Sequence, residues 1–299
     1  MKWLMLALLT FSLSPLAQAE APKFKPVTGD RIVFLGSTLV ERDQTHSYFE
    51  SSLILRFRDA NFTFRNLGWS GDTVWGEARS GFGPQKEGYA NLLKQVNECK
   101  PTILLINYGF NESFEGQGGL QHFIDGYNAL LDDLSKTNAK IWLIGPQRHE
   151  DLGRPLPDPA LHNQQLKFYT DAIAQIAAKR GCGFVDLYAL IPADQHLTDN
   201  GIHLKPEGSR QLGPTLVTAL AGVDTIPPLS EAFEQLRAAV IRKNQEYFYR
   251  WRPQNETYIF GFRKHEQGQN AVEIPQFDPI VQKLEATINE LKKSVVMEK

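Results

Sequence analysis

The sequence predicts an α/β fold in which a parallel five-stranded sheet is covered by helices on both faces. Three observations support this class: short runs that are almost wholly apolar, amphipathic stretches between them, and a regular alternation of the two. The strands are expected at residues 31–35, 62–67, 102–107, 140–144 and 183–187. The helices between and after them are expected at residues 46–59, 88–99, 120–134, 161–179 and 206–220.

Each predicted strand is an apolar run that stops at a turn-forming residue. The first run, RIVFL, stops at Gly36, and the second, FTFRNL, stops at Gly68. The third, TILLIN, is the most regular of the five and is followed by Tyr-Gly, while the fourth, KIWLI, is stopped by Gly-Pro. GFVDL supplies the fifth. Glycine and proline interrupt strands and helices alike, so these residues set where the predicted elements end.

The predicted helices are identified by apolar residues that recur every three or four positions. The stretch 120–134 is the clearest case, with one side formed by Phe123, Tyr127, Leu130, Leu131 and Leu134. Such a stripe predicts a helix that packs this side against the sheet. Parallel strands need a crossover connection, so the helices also explain how successive strands are joined.

The first 19 residues predict a secretory signal peptide. Lys2 supplies a positive charge, residues 3–13 are mostly apolar, and Ala17-Gln18-Ala19 fits a cleavage site. The apolar run is shorter than the ~20 residues that a membrane-spanning helix needs. We therefore expect an exported protein, periplasmic or secreted, that has no stable membrane insertion after the signal is cleaved.

The alternating pattern stops at a proline-containing stretch, residues 225–230, which we interpret as a hinge. An α/β domain is therefore expected at residues 28–224 and a C-terminal extension at residues 225–299. Helical patterns at 231–250 and 279–293 make this extension mainly helical. The part between them is irregular and rich in aromatic residues, Arg, Asn and Gln, and its apolar content is too patchy for an independent domain.

Charge and cysteine content narrow the range of partners. The chain has 32 Lys and Arg against 34 Asp and Glu, a net charge of −2. Nucleic-acid binding needs a basic face, so we expect no nucleic-acid partner. Cys99 and Cys182 fit either a disulfide or two small buried side chains, and neither has the spacing of a metal ligand. No metal ion or cofactor is expected.

Four polar or glycine-rich clusters follow predicted strands or precede the last helix of the α/β domain. They lie at residues 36–41, 66–73, 109–112 and 198–203. Because the carboxyl ends of parallel strands meet at one edge of the sheet, we expect these clusters to converge. Together they supply hydroxyl groups, an imidazole, acid or amide groups and several N–H donors. This set of groups is typical of acyl transfer.

The order and spacing of the clusters resemble the four sequence blocks of the SGNH/GDSL hydrolase superfamily, over about residues 30–221. The resemblance implies a flavodoxin-like three-layer α/β/α sandwich. It also implies an esterase site in which Gly71 and Asn111 form the oxyanion hole together with the N–H of the nucleophile. His203 would be the general base.

The first cluster departs from the family pattern at the nucleophile. In the family a Gly-Asp-Ser turn carries the attacking hydroxyl, whereas Gly36 is followed here by Ser37 and Thr38. Direct alignment places Thr38 at the nucleophile position, and the methyl group of threonine restricts χ1 and crowds the attack. A shift of the turn by one residue would make Ser37 the nucleophile instead, and a site without a nucleophile is the third alternative.

The fourth cluster departs from the family pattern at the acid. The family has Asp-x-x-His, but Asn200 stands three residues before His203 and Asp199 stands four before it. An asparagine can orient an imidazole but cannot stabilise the imidazolium with a charge. A one-residue bulge would bring in Asp199 instead, so both residues are candidates for the histidine partner.

Trp69, Arg148 and His149 lie near the predicted pocket and are candidates for contacts with the substrate. The leading hypothesis is an exported esterase that hydrolyses small acyl esters, with acetyl groups on carbohydrate as the favoured case. The expected partner is therefore a small-molecule or carbohydrate ester. The alternative is a glycan-binding protein on the same fold whose catalytic activity is impaired.

Overall fold

The computed structural model describes residues 22–81, 83–192, 195–224, 227, 230–266, 268 and 270–296. The predicted signal peptide, residues 1–19, lies outside the described residues. So do four residues of the predicted hinge, and the boundary expected between residues 224 and 225 stays a prediction. None of the described helices has an apolar stretch long enough to cross a bilayer.

Five parallel strands form one sheet in the order β2-β1-β3-β4-β5, which is the flavodoxin-like order. The strands are Arg31–Gly36 (β1), Thr63–Gly68 (β2), Ile103–Asn107 (β3), Lys140–Ile144 (β4) and Gly183–Val185 (β5). Gly36, the last residue of β1, is paired in register with Gly68 of β2 and Asn107 of β3. The three strands therefore end side by side, and the loops that follow them start from one edge of the sheet.

Ten α-helices flank or follow the sheet in the described residues. Those of the α/β unit are Thr38–His46 (α1), Tyr48–Arg56 (α2), Gln85–Cys99 (α3), Gly116–Ser135 (α4), Ala160–Arg180 (α5), Leu187–Leu190 (α6) and Pro206–Ala221 (α7). Those of the C-terminal extension are Glu231–Trp251 (α8), Glu256–Ile259 (α9) and Phe277–Ser294 (α10). Short 3₁₀ turns lie at Glu77–Ser80, Glu112–Glu115 and Asn270–Gln276.

Alternate side chains of β1 enter two separate hydrophobic cores, one on each face of the sheet. Ile32 and Phe34 pack with α2 and α7, whereas Val33 and Leu35 pack with α3, α4 and α5. Full burial of each such side chain contributes about 1.5–3 kcal/mol to stability. The predicted three-layer α/β/α sandwich with a five-stranded parallel sheet is therefore confirmed.

The helix predicted at residues 46–59 is present as α2, and a separate helix that was not predicted, α1, precedes it from Thr38 to His46. Ser47 separates them with φ of 51°, and its N–H donates to the carbonyl oxygen of Asp43 at 2.6 Å. The fifth strand is also shorter than predicted. The side chain of Asp186 accepts a hydrogen bond from the N–H of Ala189 and starts α6 immediately after β5.

The C-terminal extension is mainly helical, as predicted, and it packs on the α/β unit. Phe233, Leu236 and Val240 of α8 form a core with residues of α2 and α10. Beside this core the ammonium group of Lys243, 1% exposed, donates to the carboxylate of Glu50 at 2.7 Å. Breaking one partner out of a buried ion pair costs about 3–5 kcal/mol, so this contact fixes α8 on α2.

The two cysteines are free. The sulfur of Cys99, at the end of α3, lies 3.1 Å from the hydroxyl oxygen of Tyr247 in α8. Of the alternatives that the sequence leaves open, the described structure therefore has two separate, partly buried thiols.

Candidate active site

The first loop of the site is the turn from β1 into α1. A side chain at Gly36 would place its Cβ 2.5 Å from the carbonyl oxygen of Asn107, so only glycine fits between these strands. Ser37 occupies the N-cap position of α1, where its side chain makes no capping hydrogen bond, and is 5% exposed; Thr38 is the first helical residue. The N–H of a first helical residue has no acceptor inside its helix, so Thr38 presents a donor as well as a hydroxyl.

The second loop brings Gly71 next to this turn. Gly71 has φ of 79°, and its N–H donates to the Thr38 hydroxyl oxygen at 3.3 Å. The next residue, Asp72, anchors the loop from below with one carboxylate oxygen. This oxygen accepts from Arg79 Nε at 2.7 Å and from the Tyr108 hydroxyl at 2.8 Å. The side chains of the Asp72–Arg79 pair are 0% exposed, so the loop carrying Gly71 is held by a buried ion pair.

The third loop positions the amide of Asn111. Its Nδ2 donates to the Ser37 hydroxyl oxygen at 2.7 Å and to the carbonyl oxygen of Asp72 at 2.8 Å. The neighbouring Glu112 is buried and accepts from the N–H groups of Val74 and Gly109, both at 2.9 Å. Burial raises the pKa of Glu112 to about 7, although the backbone N–H donors act in the opposite direction. Glu112 therefore ties the second loop to the third.

The fourth loop carries His203 and is held by a buried carboxylate from the loop after β4. One oxygen of Glu150 accepts from the N–H of Leu197, and the other accepts from the N–H of Thr198, both at 2.8 Å. The amide of Gln147 donates to the carbonyl oxygen of Ile202 at 2.5 Å. These contacts bring the His203 loop over the carboxyl end of the sheet.

The convergence that the sequence predicts is present. A small pocket of about 150 Å³ is lined by Ser37, Thr38, Leu39, Asn107, Phe110, Asn111, Phe114, Gln147, Ile202 and His203. Both candidate hydroxyls, the imidazole and one oxyanion donor therefore face one space. Gly71 reaches this site through its hydrogen bond to Thr38.

The imidazole of His203 meets Asn200 rather than a carboxylate. The side-chain oxygen of Asn200 accepts from the N–H groups of Ile202 at 3.1 Å and His203 at 2.8 Å. These bonds fix the orientation of the amide, because an amide nitrogen cannot accept from an N–H group. The amide nitrogen therefore faces His203 Nδ1, at 3.2 Å, and donates to it.

This contact determines the tautomer of His203. When Nδ1 accepts a hydrogen bond, the proton of the neutral imidazole lies on Nε2. A nitrogen that already carries a proton cannot take another one from a hydroxyl. In an aspartate–histidine pair the carboxylate accepts from Nδ1–H instead, and Nε2 is left free as the base. Asn200 therefore holds the ring in the form that is unfavourable for general-base catalysis.

Asp199 does not replace the missing carboxylate. Its side chain is half exposed and lies 4.0 Å from the guanidinium of Arg42, while Asn200 occupies the position at Nδ1. Burial lowers the pKa of His203, the charge of Arg42 lowers it further, and Asp199 opposes the two. The structure therefore favours a neutral His203.

The three predicted substrate contacts lie outside the walls of the small pocket. Trp69 packs under the guanidinium of Arg252, whose carbon lies 3.6 Å from the ring centre. Arg148 lies over the ring of Tyr188 at 4.1 Å. The substrate-binding role proposed for these residues stays a prediction. Sequence reasoning did not select Phe110, Phe114 and Gln147, although each lies within three residues of a residue that it did select.

His149, the third predicted contact, belongs to a chain of hydrogen bonds behind the pocket. The Ser113 hydroxyl donates to the carbonyl oxygen of Phe110 at 2.7 Å, so its oxygen accepts from His162 Nε2 at 2.8 Å. His162 Nδ1 then accepts from His149 Nδ1 at 2.9 Å. Burial lowers the pKa of His162 to about 4, and the neighbouring His149 contributes. Both rings are thus held neutral, with Nε2 of His149 unprotonated.

Two solved structures, both described as enzymes, share this fold. A gut microbial diltiazem-metabolizing enzyme is 12% identical, with 92% of this chain and 97% of that chain covered, at a TM-score of 0.62. A catalytic mutant of an acetylxylan esterase from Geobacillus stearothermophilus is 17% identical, with 69% of this chain and 100% of that chain covered, at a TM-score of 0.53. At these identities the likeness shows the fold.

Sequence comparison gives the family. A search of curated proteins finds no match. The model of the GDSL-like lipase/acylhydrolase family, in contrast, matches residues 27–211, which is more than half of the chain and includes all four loops of the site. The chain therefore belongs to the GDSL-like lipase/acylhydrolase family of hydrolases.

Proposed function

We propose that this protein is an esterase of low turnover that removes small acyl groups, most favourably acetyl groups, from carbohydrate. The observation that carries the proposal is the pocket in which two hydroxyls and an imidazole meet the donors Gly71 and Asn111. Its volume of about 150 Å³ suits a small acyl group. Membership of the hydrolase family and a structural neighbour described as an acetylxylan esterase support the substrate class.

Thr38 is the better nucleophile of the two hydroxyl residues. The Ser37 hydroxyl is buried and its oxygen accepts from Asn111, which makes it a support for that amide. Thr38 is only partly buried, and its hydroxyl oxygen lies beside the N–H of Gly71. A tetrahedral anion formed at Thr38 is therefore next to a backbone donor from the start.

The reaction follows the usual two steps of acyl transfer. The Thr38 oxygen attacks the ester carbonyl carbon, and its proton passes to His203 Nε2. The anionic oxygen takes over the hydrogen bonds that Gly71 and Asn111 now give to the hydroxyls of Thr38 and Ser37. Collapse of this intermediate expels the alcohol, which receives the proton from His203. Water then attacks the acyl-threonine ester with His203 again as the base. The bond from the acyl carbon to the Thr38 oxygen breaks, the carboxylic acid leaves, and His203 returns the proton to Thr38.

Asn200 is the reason for the low turnover. The proton transfer needs the minor tautomer of His203, in which Nε2 is free and Nδ1–H faces the Asn200 amide nitrogen. The corresponding aspartate-to-asparagine change in a serine protease triad lowers kcat by about 10⁴-fold. Slow hydrolysis is therefore consistent with an otherwise complete site.

The same observation favours a second candidate function, carbohydrate binding without turnover. An imidazole protonated on Nε2 is a hydrogen-bond donor, and it would bind a carbonyl or hydroxyl oxygen of a ligand. The pocket would then retain an acylated sugar and release it unchanged.

An exported location fits either candidate, because an acylated polysaccharide is an extracellular substrate. We base this part of the proposal on the N-terminal sequence alone. Determining the N-terminus of the protein isolated from the producing cell tests it. A mature chain beginning at Glu20 supports export, whereas an intact N-terminus in the cytosolic fraction contradicts it.

Hydrolysis of p-nitrophenyl acetate by wild type and single variants tests the proposed chemistry. We expect Thr38→Ala and His203→Ala to abolish the enzymatic rate, and Ser37→Ala to lower it by about tenfold through loss of support for Asn111. Thr287→Ala, an exposed hydroxyl on α10, is the matched control. Loss of activity in Ser37→Ala with retention in Thr38→Ala would reverse the nucleophile assignment. A wild type that binds acetylated xylo-oligosaccharides but never hydrolyses an ester would establish the binding function.

A further inference from the structure

A second, larger cavity lies between α3 and the C-terminal extension. Its volume is about 390 Å³, and it is lined by Trp69, Arg79, Asn91, Lys94, Gln95, Glu98, Arg250, Trp251, Arg252, Pro253, Glu256 and Phe260. This volume falls within the ~300–1,000 Å³ that small-molecule sites occupy, whereas the small pocket falls below it. The cavity exists only because the extension, beyond the family match at residues 27–211, packs on the hydrolase unit.

Cationic side chains outnumber carboxylates in the walls of this cavity, and each cation has a carboxylate partner. Four cationic side chains line it against two carboxylates; Arg79 is neutralised by its buried contact with Asp72, and Lys94 lies 3.9 Å from Glu98. Among the described residues, the side chain of Arg250 bonds only to Asp278, at 2.9 Å, and that of Arg252 only to Glu41, at 2.7 Å. A guanidinium has five N–H donors, so both retain donors for an anion.

The same cavity offers aromatic surface. Phe260, 51% exposed, lies in its wall together with Trp251, whose buried indole N–H has no hydrogen-bond partner within the described part of the chain. One face of Trp69 is already covered by Arg252. The exposed ring of Phe260 and the partly buried ring of Trp251, beside unused guanidinium donors, suit a ligand with an apolar ring face and a carboxylate at its edge.

The cavity is connected to the reactive site through one carboxylate. Glu41 Oε2 accepts from Arg252 on the cavity side and from the N–H of Ser70, both at 2.7 Å. Ser70 immediately precedes Gly71, the donor that contacts Thr38. A ligand that engages Arg252 is therefore connected, through Glu41, to the loop that carries Gly71.

We propose that this cavity binds a carboxylated sugar unit, a uronate, of the glycan on which the protein acts. The ring of the sugar packs on Trp251 and Phe260, and its carboxylate pairs with Arg250, Arg252 and Lys94. The uronate is part of a substrate only if the protein is the esterase proposed above, and in this respect the inference rests on that proposed function. Binding itself requires no hydrolysis.

Calorimetric titration of the full chain with methyl β-D-glucuronide and methyl β-D-glucoside tests the proposal, because these ligands differ only at the carboxylate. We expect the glucuronide to bind at least tenfold more tightly, and its affinity to fall as salt is added. Lys94→Ala and Phe260→Ala should each weaken binding by roughly 3–10-fold. Glucose 6-sulfate is the third ligand, and tighter binding of the sulfate would overturn the assignment to a carboxylate.

Matched controls separate a specific site from a general effect of charge or fold. Lys167 forms the same i,i+4 contact on α5 that Lys94 forms on α3, and Phe262 is an exposed ring two residues beyond Phe260. Lys167→Ala and Phe262→Ala should bind the glucuronide as wild type does. Equal losses in controls and cavity variants, or equal affinity for both glycosides, would overturn the proposal. Titration of His203→Ala separates it from the proposed reaction, because glucuronide binding should persist there even if no ester is ever hydrolysed.

Discussion

The two sides of the reactive pocket are built alike and are chemically different. On the proposed oxyanion side, which carries Gly71 and Asn111, the loops are held by the buried carboxylates of Asp72 and Glu112. On the proposed base side, which carries Asn200 and His203, the loop is held by Glu150. Each of these carboxylates accepts hydrogen bonds from backbone N–H groups or from a cationic side chain and so holds its loop in place. The group that touches the imidazole, however, is a neutral amide.

The difference shows which part of an aspartate's role the fold needs. Asn200 uses a single oxygen to accept from two backbone N–H groups, and an aspartate would use one oxygen in the same way. The conformation of the loop therefore does not depend on whether the second polar atom of the side chain at position 200 is nitrogen or oxygen. Only the tautomer and pKa of His203 depend on that atom, so this site can lose its base without losing its structure.

The largest expected effect is a loss of stability when the buried ion pair under the Gly71 loop is removed. Arg79→Met leaves the Asp72 carboxylate buried without its cation, and we expect the free energy of unfolding to fall by about 3–5 kcal/mol in urea titrations. Arg180→Met is the control, since Arg180 pairs with the exposed Asp132 and its loss should cost at most about 1 kcal/mol. A loss below 1 kcal/mol for Arg79→Met would contradict the bracing role of the pair.

The next largest expected effect is a gain of activity when the amide beside His203 is replaced by a carboxylate. Asn200→Asp places a carboxylate oxygen at His203 Nδ1, which reverses the tautomer and frees Nε2. We expect kcat/KM for p-nitrophenyl acetate to rise by about 10²-fold, less than the ~10⁴-fold of a serine triad because the methyl group of Thr38 crowds the attack. Burial and the Arg42 charge lower the pKa of His203 in wild type. The new carboxylate raises this pKa, so the acid limb of the pH–rate profile should move to higher pH.

Two measurements accompany the Asn200 variant. Its unfolding free energy should match that of wild type, because the two backbone hydrogen bonds remain. Asp199→Asn, at the exposed neighbour that faces Arg42, should change kcat/KM by less than about twofold. A rate for Asn200→Asp equal to that of wild type would show that the tautomer does not limit hydrolysis.

The fold could be predicted from the sequence because its signals are local and repeated. Five apolar runs ending at turn residues, with amphipathic stretches between them, gave the sheet and its layers. The break at Ser47 could not be predicted, because residues 38–56 carry no glycine or proline to mark two helices. Tertiary contacts around a left-handed serine decide that break.

The sequence allowed the residues of the candidate site to be predicted, but not the hydrogen bonds between them. Thr38, Asn111 and His203 were identified by their order along the chain, and they line one pocket. Which end of the Asn200 amide faces the ring depends on two backbone N–H groups, and no sequence pattern records that. The cavity beside Trp69 likewise arises from packing between segments that lie roughly 150–190 residues apart in the chain.

A smaller effect concerns the imidazoles behind the base side. The pKa of His162 is about 4 in the folded protein and near 6.5 in the unfolded chain, so the unfolded state binds more protons between these values. Stability should therefore fall as the pH falls from 7 towards 4. Between pH 7 and pH 4, we expect His162 to account for about 1–2 kcal/mol of the lost unfolding free energy, and His162→Phe should remove this part. The value is kept small because the ring is partly exposed to solvent.

Urea titrations of His162→Phe at pH 7.5 and pH 4.5 measure the effect. His122→Phe is the matched control, since His122 also stacks on an aromatic ring, that of Trp75, at 4.3 Å and lies outside the chain of hydrogen bonds. The same pH dependence in wild type and His162→Phe would mean that His162 is protonated equally in the folded and unfolded states.

The smallest effect distinguishes the walls of the pocket from the residues near it. Phe114 lines the pocket, is 61% exposed and stacks on His162 at 3.9 Å, whereas Arg148 lies over Tyr188 outside the pocket. Phe114→Ala should raise KM by about threefold with kcat nearly constant, because an apolar wall binds ground state and transition state alike. Arg148→Ala should leave KM within about twofold of wild type. If Arg148→Ala had the larger effect on KM, the substrate would extend beyond the walls of the pocket towards Tyr188. The base side would then contact another part of the ligand besides its acyl group.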